Sequence, residues 1–252
     1  MPKISVAFLL GDYSSVGGVE RVTAALIPLF NAQGLPCKHL ISLEGDKPGP
    51  HMKYPDNTEI IVLSKIVSAN QNSKQKLTEL SLDKDIDAII FPGNNITTSH
   101  LVLAAAKQTN CLAIPVMHGS IYASLTKYVS INEVIFQPRL FISSIFRLFL
   151  LPWKWWRHYR MFSLCSDGII AVSEGCANEI RKVFPNLVKQ GINITAIHNP
   201  LPFQQPQQTS EEFTSKENIV VYSGRLERTH KNAMMAIKCW REIHETHPDW
   251  TM

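Results

Sequence analysis

The stretch Val6-Ala7-Phe8-Leu9-Leu10-Gly11-Asp12-Tyr13-Ser14-Ser15-Val16-Gly17-Gly18-Val19-Glu20-Arg21 decides the fold. Residues 4–10 are almost all apolar, the pattern of a strand covered on both faces. Gly17 and Gly18 remove side chains just where the chain turns into a helix. Val19, Val22, Ala25, Leu26, Leu29 and Phe30 then follow at helical spacing. Gly34 and Pro36 stop that helix. Such a strand–loop–helix can receive an anion or a sugar against bare backbone N–H groups. The glycines would serve equally well if they only permitted a tight turn, and the loop alone does not choose between the two.

Outward from this unit, strands are expected at 37–43, 60–63, 86–91, 112–117, 168–172 and 192–197. Helices are expected at 74–82, 101–107 and 174–184, and residues 44–58 read as loop because of their glycines and prolines. Alternation of this kind argues for an α/β fold: a Rossmann-like parallel sheet with helices on both faces. Ligands of such sheets bind beyond the carboxyl ends of the strands. The loops 11–18, 92–95, 118–120 and residue 173 all leave carboxyl ends, so several of them should share one crevice.

The composition changes at residues 201–217, where Gln, Thr, Ser and Glu dominate, as in a linker. A new strand is expected at Asn218 to Tyr222 and a helix at 232–246, with Ala233, Ala236, Ile237, Trp240 and Ile243 on one face. One strand and one helix cannot bury a core alone. The expected organisation is a first domain at 1–200, a linker at 201–217 and the incomplete start of a second domain at 218–252.

With 252 residues, 45% apolar and 18% charged, the chain has the composition of an ordinary globular protein. A net charge of +4 is too mild to suggest nucleic acid as a partner. The cysteines at 37, 111, 165, 176 and 239 are odd in number and form no C-x-x-C pair. That argues against a disulfide framework or a zinc site and for small buried thiols in a reducing compartment. The apolar run before Gly11 is too short for a signal peptide, so a cytoplasmic location is expected.

Residues 134–164 carry no acid. They hold Arg139, Arg147, Lys154, Arg157 and Arg160 among Trp153, Trp155, Trp156, Tyr159 and several phenylalanines. Leu140 to Leu151 is nearly all apolar, with Pro138 and Pro152 at its ends, and twelve residues do not span a bilayer, which needs about 20. A basic, Trp-rich amphipathic segment fits an interfacial helix on anionic lipid, with Arg147, Trp153, Lys154, Trp156 and Arg157 as the membrane contacts. A core helix pair with a solvated basic edge is the alternative.

Three positions carry candidate chemistry. His118 follows an apolar strand at the expected crevice, where a neutral imidazole can donate to a ligand hydroxyl or carbonyl, although a lone His is commonly structural. Arg225 and Lys231 flank the turn of the second strand–helix unit and suit a diphosphate, Arg by its fork and Lys as a point charge. Two surface cations would look the same. Glu20 and Glu174 lie in first turns of helices, where the macrodipole already favours an acid. Neither a P-loop nor a G-x-G-x-x-G is present, so ATP hydrolysis and NAD binding are poorly supported.

Gly17-Gly18-Val19-Glu20-Arg21, Val116-Met117-His118-Gly119, Ile170-Ala171-Val172-Ser173, Ile197-His198-Asn199-Pro200 and Ser223-Gly224-Arg225-Leu226 with Lys231-Asn232 occur in that order. Together they resemble glycosyltransferase family 4, the retaining, nucleotide-sugar-dependent enzymes with the GT-B fold. The resemblance implies two Rossmann-like domains with the active site in the cleft between them. It implies transfer of a sugar from a nucleotide-diphosphate sugar to a saccharide or lipid-linked acceptor, in lipopolysaccharide, capsule or exopolysaccharide synthesis. His118 would contact the transferred sugar. Arg225, Lys231 and Gly17 would lie at the donor diphosphate, the two cations stabilising the leaving group. Gly18, Glu20 and Ser173 would lie on the acceptor side. Neither a cofactor nor a metal is expected, and the partner surface is the anionic inner face of the plasma membrane. In two respects the chain departs from the family. Its Lys stands six residues after the Arg rather than five, with His230 in the usual place, and the two-glutamate donor motif has no counterpart before residue 252. The sequence thus reads as truncated, with doubtful catalytic competence. A non-catalytic membrane-associated remnant and a nucleotide-sugar epimerase are the alternative functions.

Overall fold

The computed structural model describes residues 4–15, 17–49, 52–66, 72–122, 152–153, 155–164, 167–200, 217–224 and 232–252. The chain divides into two compact units, Met1–Pro202 and Phe203–Met252.

The first unit is built on seven strands: β1 (Val6–Asp12), β2 (His39–Glu44), β3 (Glu59–Val62), β4 (Ala88–Pro92), β5 (Leu112–Met117), β6 (Ile169–Ala171) and β7 (Ile194–Ala196). They form one sheet in the order β3-β2-β1-β4-β5-β6-β7, and every adjacent pair is parallel. The fold is therefore the α/β, Rossmann-like parallel sheet. From β1 the chain builds outward through β2 and β3, then returns to place β4 on the other side of β1. That reversal puts a switch point between β1 and β4, where neighbouring loops diverge and leave a crevice.

The helices are α1 (Gly18–Ala32), α2 (Leu63–Ile66), α3 (Ser73–Asp83), α4 (Ile96–Thr109), α5 (155–163), α6 (Glu174–Val183) and α7 (Pro185–Lys189). Alternation along β1 divides the core. Val6, Phe8 and Leu10 pack with Ile27 of α1, Cys37, Leu40, Val62 and Ile90 on one face. Ala7 and Leu9 point the other way, into a larger core with Leu77 of α3, Val102 of α4, Phe162 of α5, Ile180 of α6 and Leu187 of α7. Strands covered on both faces need apolar side chains at every position, so β1 reads as an unbroken apolar run.

Local side chains set the helix starts. Asn72 accepts from Gln75 N at 2.8 Å, Asn95 from Thr97 N at 3.0 Å, and Ser173 Oγ from Cys176 N at 3.2 Å. The Asn95 cap starts α4 five residues earlier than expected, because it recruits the β-branched run after it. Pro28 lies inside α1, exposed, where it forfeits one intrahelical hydrogen bond. The expected helix at Leu140 to Leu151 lies outside the described residues. Pro152 is itself helical, just ahead of α5.

In the second unit, α8 (Ala233–His244) begins at Asn232, whose side chain accepts from Met235 N at 3.3 Å. The strand expected at Asn218 to Tyr222 is instead an extended segment with one isolated bridge, Ile219 to Thr251. A strand needs neighbours on a ladder, and the described residues of this unit supply only that bridge. Ile237 and Ile243 on α8 are exposed.

Candidate functional site

At the carboxyl edge of the sheet, β1 ends in a tightly held turn. Ser14 N donates to Asp12 Oδ1 at 2.9 Å, and Tyr13 N donates to Ser42 Oγ at 3.0 Å. Gly45, at φ +115°, packs so closely that a Cβ there would meet Asp12 Oδ1 and the Tyr13 ring, each at 2.7 Å. Gly17 then caps α1 without a side-chain hydrogen bond, whereas α3, α4, α6 and α8 are capped by Asn or Ser. Its φ of −123° and ψ of 179° are ordinary extended backbone, so it does not serve a left-handed turn. What excludes a side chain at Gly17 is the Glu20 carboxylate, which folds back over it from the third helical position. A Cβ at Gly18 would meet nothing within 4 Å. Glu20 is thus a carboxylate in the first turn of α1, folded back toward its start. Tyr54 belongs to the same neighbourhood. Burial, then the Glu20 charge, pushes its phenol up to about 12, and its hydroxyl has no hydrogen-bond partner among the described residues.

The loops after β4 and β5 meet. Gly93 N donates to Val116 O at 2.9 Å, a Cβ on Gly93 would strike Met117 Sδ at 2.8 Å, and Asn94 Nδ2 lies 3.9 Å from where a Cβ on Gly119 would sit. Glu179 on α6 holds the second of these loops, accepting from Ser120 Oγ at 2.7 Å and from Ile121 N at 3.0 Å.

Between α1 and these strand ends lies a cavity of about 110 Å³. Its walls are apolar, from Phe8, Val19, Leu26, Phe30, Val116 and Ile170, and its polar edge is His118, His198 and Asn199. Burial pushes the His118 imidazole below the usual histidine range, so the ring is held neutral. A neutral imidazole at an apolar wall can donate from one nitrogen and accept at the other. The arrangement can hold a ligand that turns an apolar face inward and a hydroxyl or carbonyl toward His118.

Of the candidate site residues named from sequence that the structure describes, only His118 lines this cavity. Gly17 and Gly18 do not, although Val19 beside them does. Glu20 is turned back on Gly17, and Ser173 is occupied in capping α6. Arg225, Lys231, Arg147 and Lys154 lie outside the described residues. Trp153, Trp156 and Arg157 are placed elsewhere, on the outer side of the helical residues around α5. His198, Asn199, Tyr54 and Glu179 went unassigned in the sequence. For His198 and Asn199 a signal was present, since polar residues directly after an apolar strand mark its carboxyl end.

No protein-family model matches the sequence, and no curated protein matches it. Among solved structures, the lipopolysaccharide outer core galactosyltransferase WaaB, in its apo form, is similar over 89% of this chain and 54% of its own, at 14% identity and a TM-score of 0.49. UGT2 of Phytolacca americana, complexed with UDP-2fluoro-glucose and pterostilbene, is similar over 88% of this chain and 60% of its own, at 9% identity and a TM-score of 0.46. The chain thus spans little more than half the length of the structures it resembles. A likeness this distant is no ground for assigning an activity.

Proposed function

We propose that the chain is a glycosyltransferase of GT-B type, similar to family 4, that moves a sugar from a nucleotide-diphosphate donor to a saccharide or lipid-linked acceptor with retention. The observation that carries this reading is the neutral His118 imidazole at the polar edge of an apolar cavity, beyond the carboxyl end of β5 in a parallel sheet with a β1/β4 switch point. In it, His118 donates a hydrogen bond to a hydroxyl of the transferred sugar. The uncapped start of α1 at Gly17 and Gly18 faces anionic groups of the donor, which requires Glu20 to swing away from Gly17. Arg225 and Lys231 meet the charge that develops on the leaving diphosphate, so no metal is invoked. Lipopolysaccharide, capsule or exopolysaccharide synthesis is the proposed setting, with an anionic membrane surface as partner through Trp153, Trp156 and Arg157.

The test is transfer by the full chain from labelled uridine, guanosine and adenosine diphosphate sugars to lipid-linked and free saccharide acceptors. The anomeric configuration of the product is then read by NMR. The reading expects transfer with retention that is lost in His118→Ala while the fold persists. Interconversion of the nucleotide sugar in solution would replace it with an epimerase. Vesicle binding with neither donor affinity nor turnover would replace it with a non-catalytic membrane-associated protein.

A further inference from the structure

On the other face of the sheet from the His118 cavity, residues of α4, of the end of α5 and of the segment 110–113 line a groove of about 660 Å³. Its depth comes from small residues: Ala104 on one wall, Ser163 on the other, and Ala113 at the start of β5. Each wall carries a cation, Lys107 from α4 and Arg160 from α5, both exposed. Neither is paired with a carboxylate among the described residues. The acid that lines the groove, Asp167, accepts from Ala113 N at 3.1 Å and so is tied to the floor. The Arg157 and Arg160 guanidiniums add to burial in pushing His100, higher in the same groove, below the usual histidine range. The local field is therefore positive, and the imidazole adds little repulsion to it at neutral pH.

The rim has a different chemistry. Met161 and Phe162 turn one side of α5 into the core at 0% exposure, which fixes the phase of the helix. Trp156 of α5 and the flanking Trp153 and Leu164 stay outside the core, each 48–49% exposed. Arg157 lies over the Trp153 ring at 4.6 Å and Arg160 over the Trp156 ring at 5.3 Å. Exposed indoles interleaved with arginines, beside a cationic groove, are suited to the headgroup level of a bilayer, where an amphipathic ring has one side dry and one side wet. Among the described residues no helix is long and apolar enough to cross a membrane.

We infer that the groove lined by α4 and α5 is a binding site for the headgroup phosphate of an anionic phospholipid, held between Lys107 and Arg160 while Trp153 and Trp156 enter the interface. This rests on the membrane contact proposed above and deepens it. A generic interfacial helix would draw only on the outer face of α5, whereas this site also requires Lys107, which stands on another helix.

Co-sedimentation of the full chain with phosphatidylcholine vesicles, with and without phosphatidylglycerol, tests the site. Lys107→Glu is compared with Lys47→Glu, an equal change of charge in an exposed loop after β2, and each fold is checked by circular dichroism. Wild type should sediment with the anionic vesicles and not with the neutral ones. Lys107→Glu and Arg160→Glu should each weaken this about fivefold or more beyond the Lys47→Glu control. Equal binding by Lys107→Glu and Lys47→Glu overturns the groove and leaves the membrane contact standing. Release of wild type from vesicles by millimolar glycerol 3-phosphate assigns the groove to soluble phosphates and overturns the lipid. Failure to sediment with either vesicle, or binding unchanged by joint Trp153→Ala and Trp156→Ala substitution, removes the membrane contact itself and the site with it.

Discussion

Ser120 Oγ donates to Glu179 Oε2 at 2.7 Å, across 59 positions of sequence, and the same carboxylate oxygen accepts from Ile121 N at 3.0 Å. One side chain on α6 thereby clamps the turn that leaves β5 with His118 at its head. Hydrogen bonds to a charged acceptor contribute about 1.5–3 kcal/mol, more than neutral pairs. Glu179→Ala should therefore cost about 2 kcal/mol and Ser120→Ala about 1 kcal/mol. Denaturant unfolding of both and of the double variant should show coupling of at least about 0.5 kcal/mol, and strict additivity would refute the clamp.

Gly45 and Gly17 should respond in opposite ways to alanine. At Gly45 the backbone is left-handed and the new Cβ meets Asp12 and Tyr13 at 2.7 Å, so the loss should be about 2–3 kcal/mol. At Gly17 the backbone is extended and the obstacle is the mobile end of Glu20, so the loss should stay within about 1 kcal/mol. Midpoints in urea would rank the two. A larger loss at Gly17 would restore the tight-turn reading of that glycine.

Acidification should weaken the fold before any carboxylate titrates. His39, His100 and His118 are all pushed below the usual histidine range, with burial the first cause in each. For His39, burial outweighs the attraction of Glu59, whose Oε2 is 3.3 Å from Nδ1. Below pH about 6.5 the unfolded chain therefore binds protons that the folded chain refuses. The stabilisation is whole above that value and declines as pH falls past it. Urea midpoints should drop steadily from pH about 7.5 to about 5, and His118→Gln should make the slope shallower. A flat profile would contradict the lowered affinity of these three rings for a proton.

The thiols should separate by depth. Burial pushes Cys37 and Cys111 up to about 12, so neither supplies thiolate near neutrality. Cys239 is exposed and Cys176 intermediate. Cys165 lies outside the described residues; among the four described thiols, a reagent at neutral pH should modify Cys239 first and reach Cys37 and Cys111 only on unfolding, as mass spectrometry of labelled peptides would report. The expectation of buried thiols holds for Cys37 and Cys111 and fails for Cys239, which α8 leaves exposed.

The sheet was legible residue by residue. β5 at Leu112–Met117 has its expected bounds, and the other strands are offset by one or two positions at most ends. A strand covered on both faces must be apolar throughout, and that demand is written into consecutive residues. Capping is equally local, as Ser173 shows. α4 starts earlier than its apolar spacing indicates, because Asn95 caps Ile96-Thr97-Thr98, a run that by composition alone reads as loop.

By itself the sequence determined the α/β class, the alternation of strand and helix, and the placement of His118 after a buried strand, because each depends on neighbours within a turn or a pleat. Tertiary structure decided what those elements do together. It turned Glu20 back on Gly17, spent Ser173 on a cap, brought Glu179 to Ser120 and set Gly45 against Tyr13. It also chose which side of α5 shows its tryptophans, once Met161 and Phe162 had found the core. These outcomes depend on which distant side chains meet, and helical or strand periodicity repeats along an element without saying what stands opposite it.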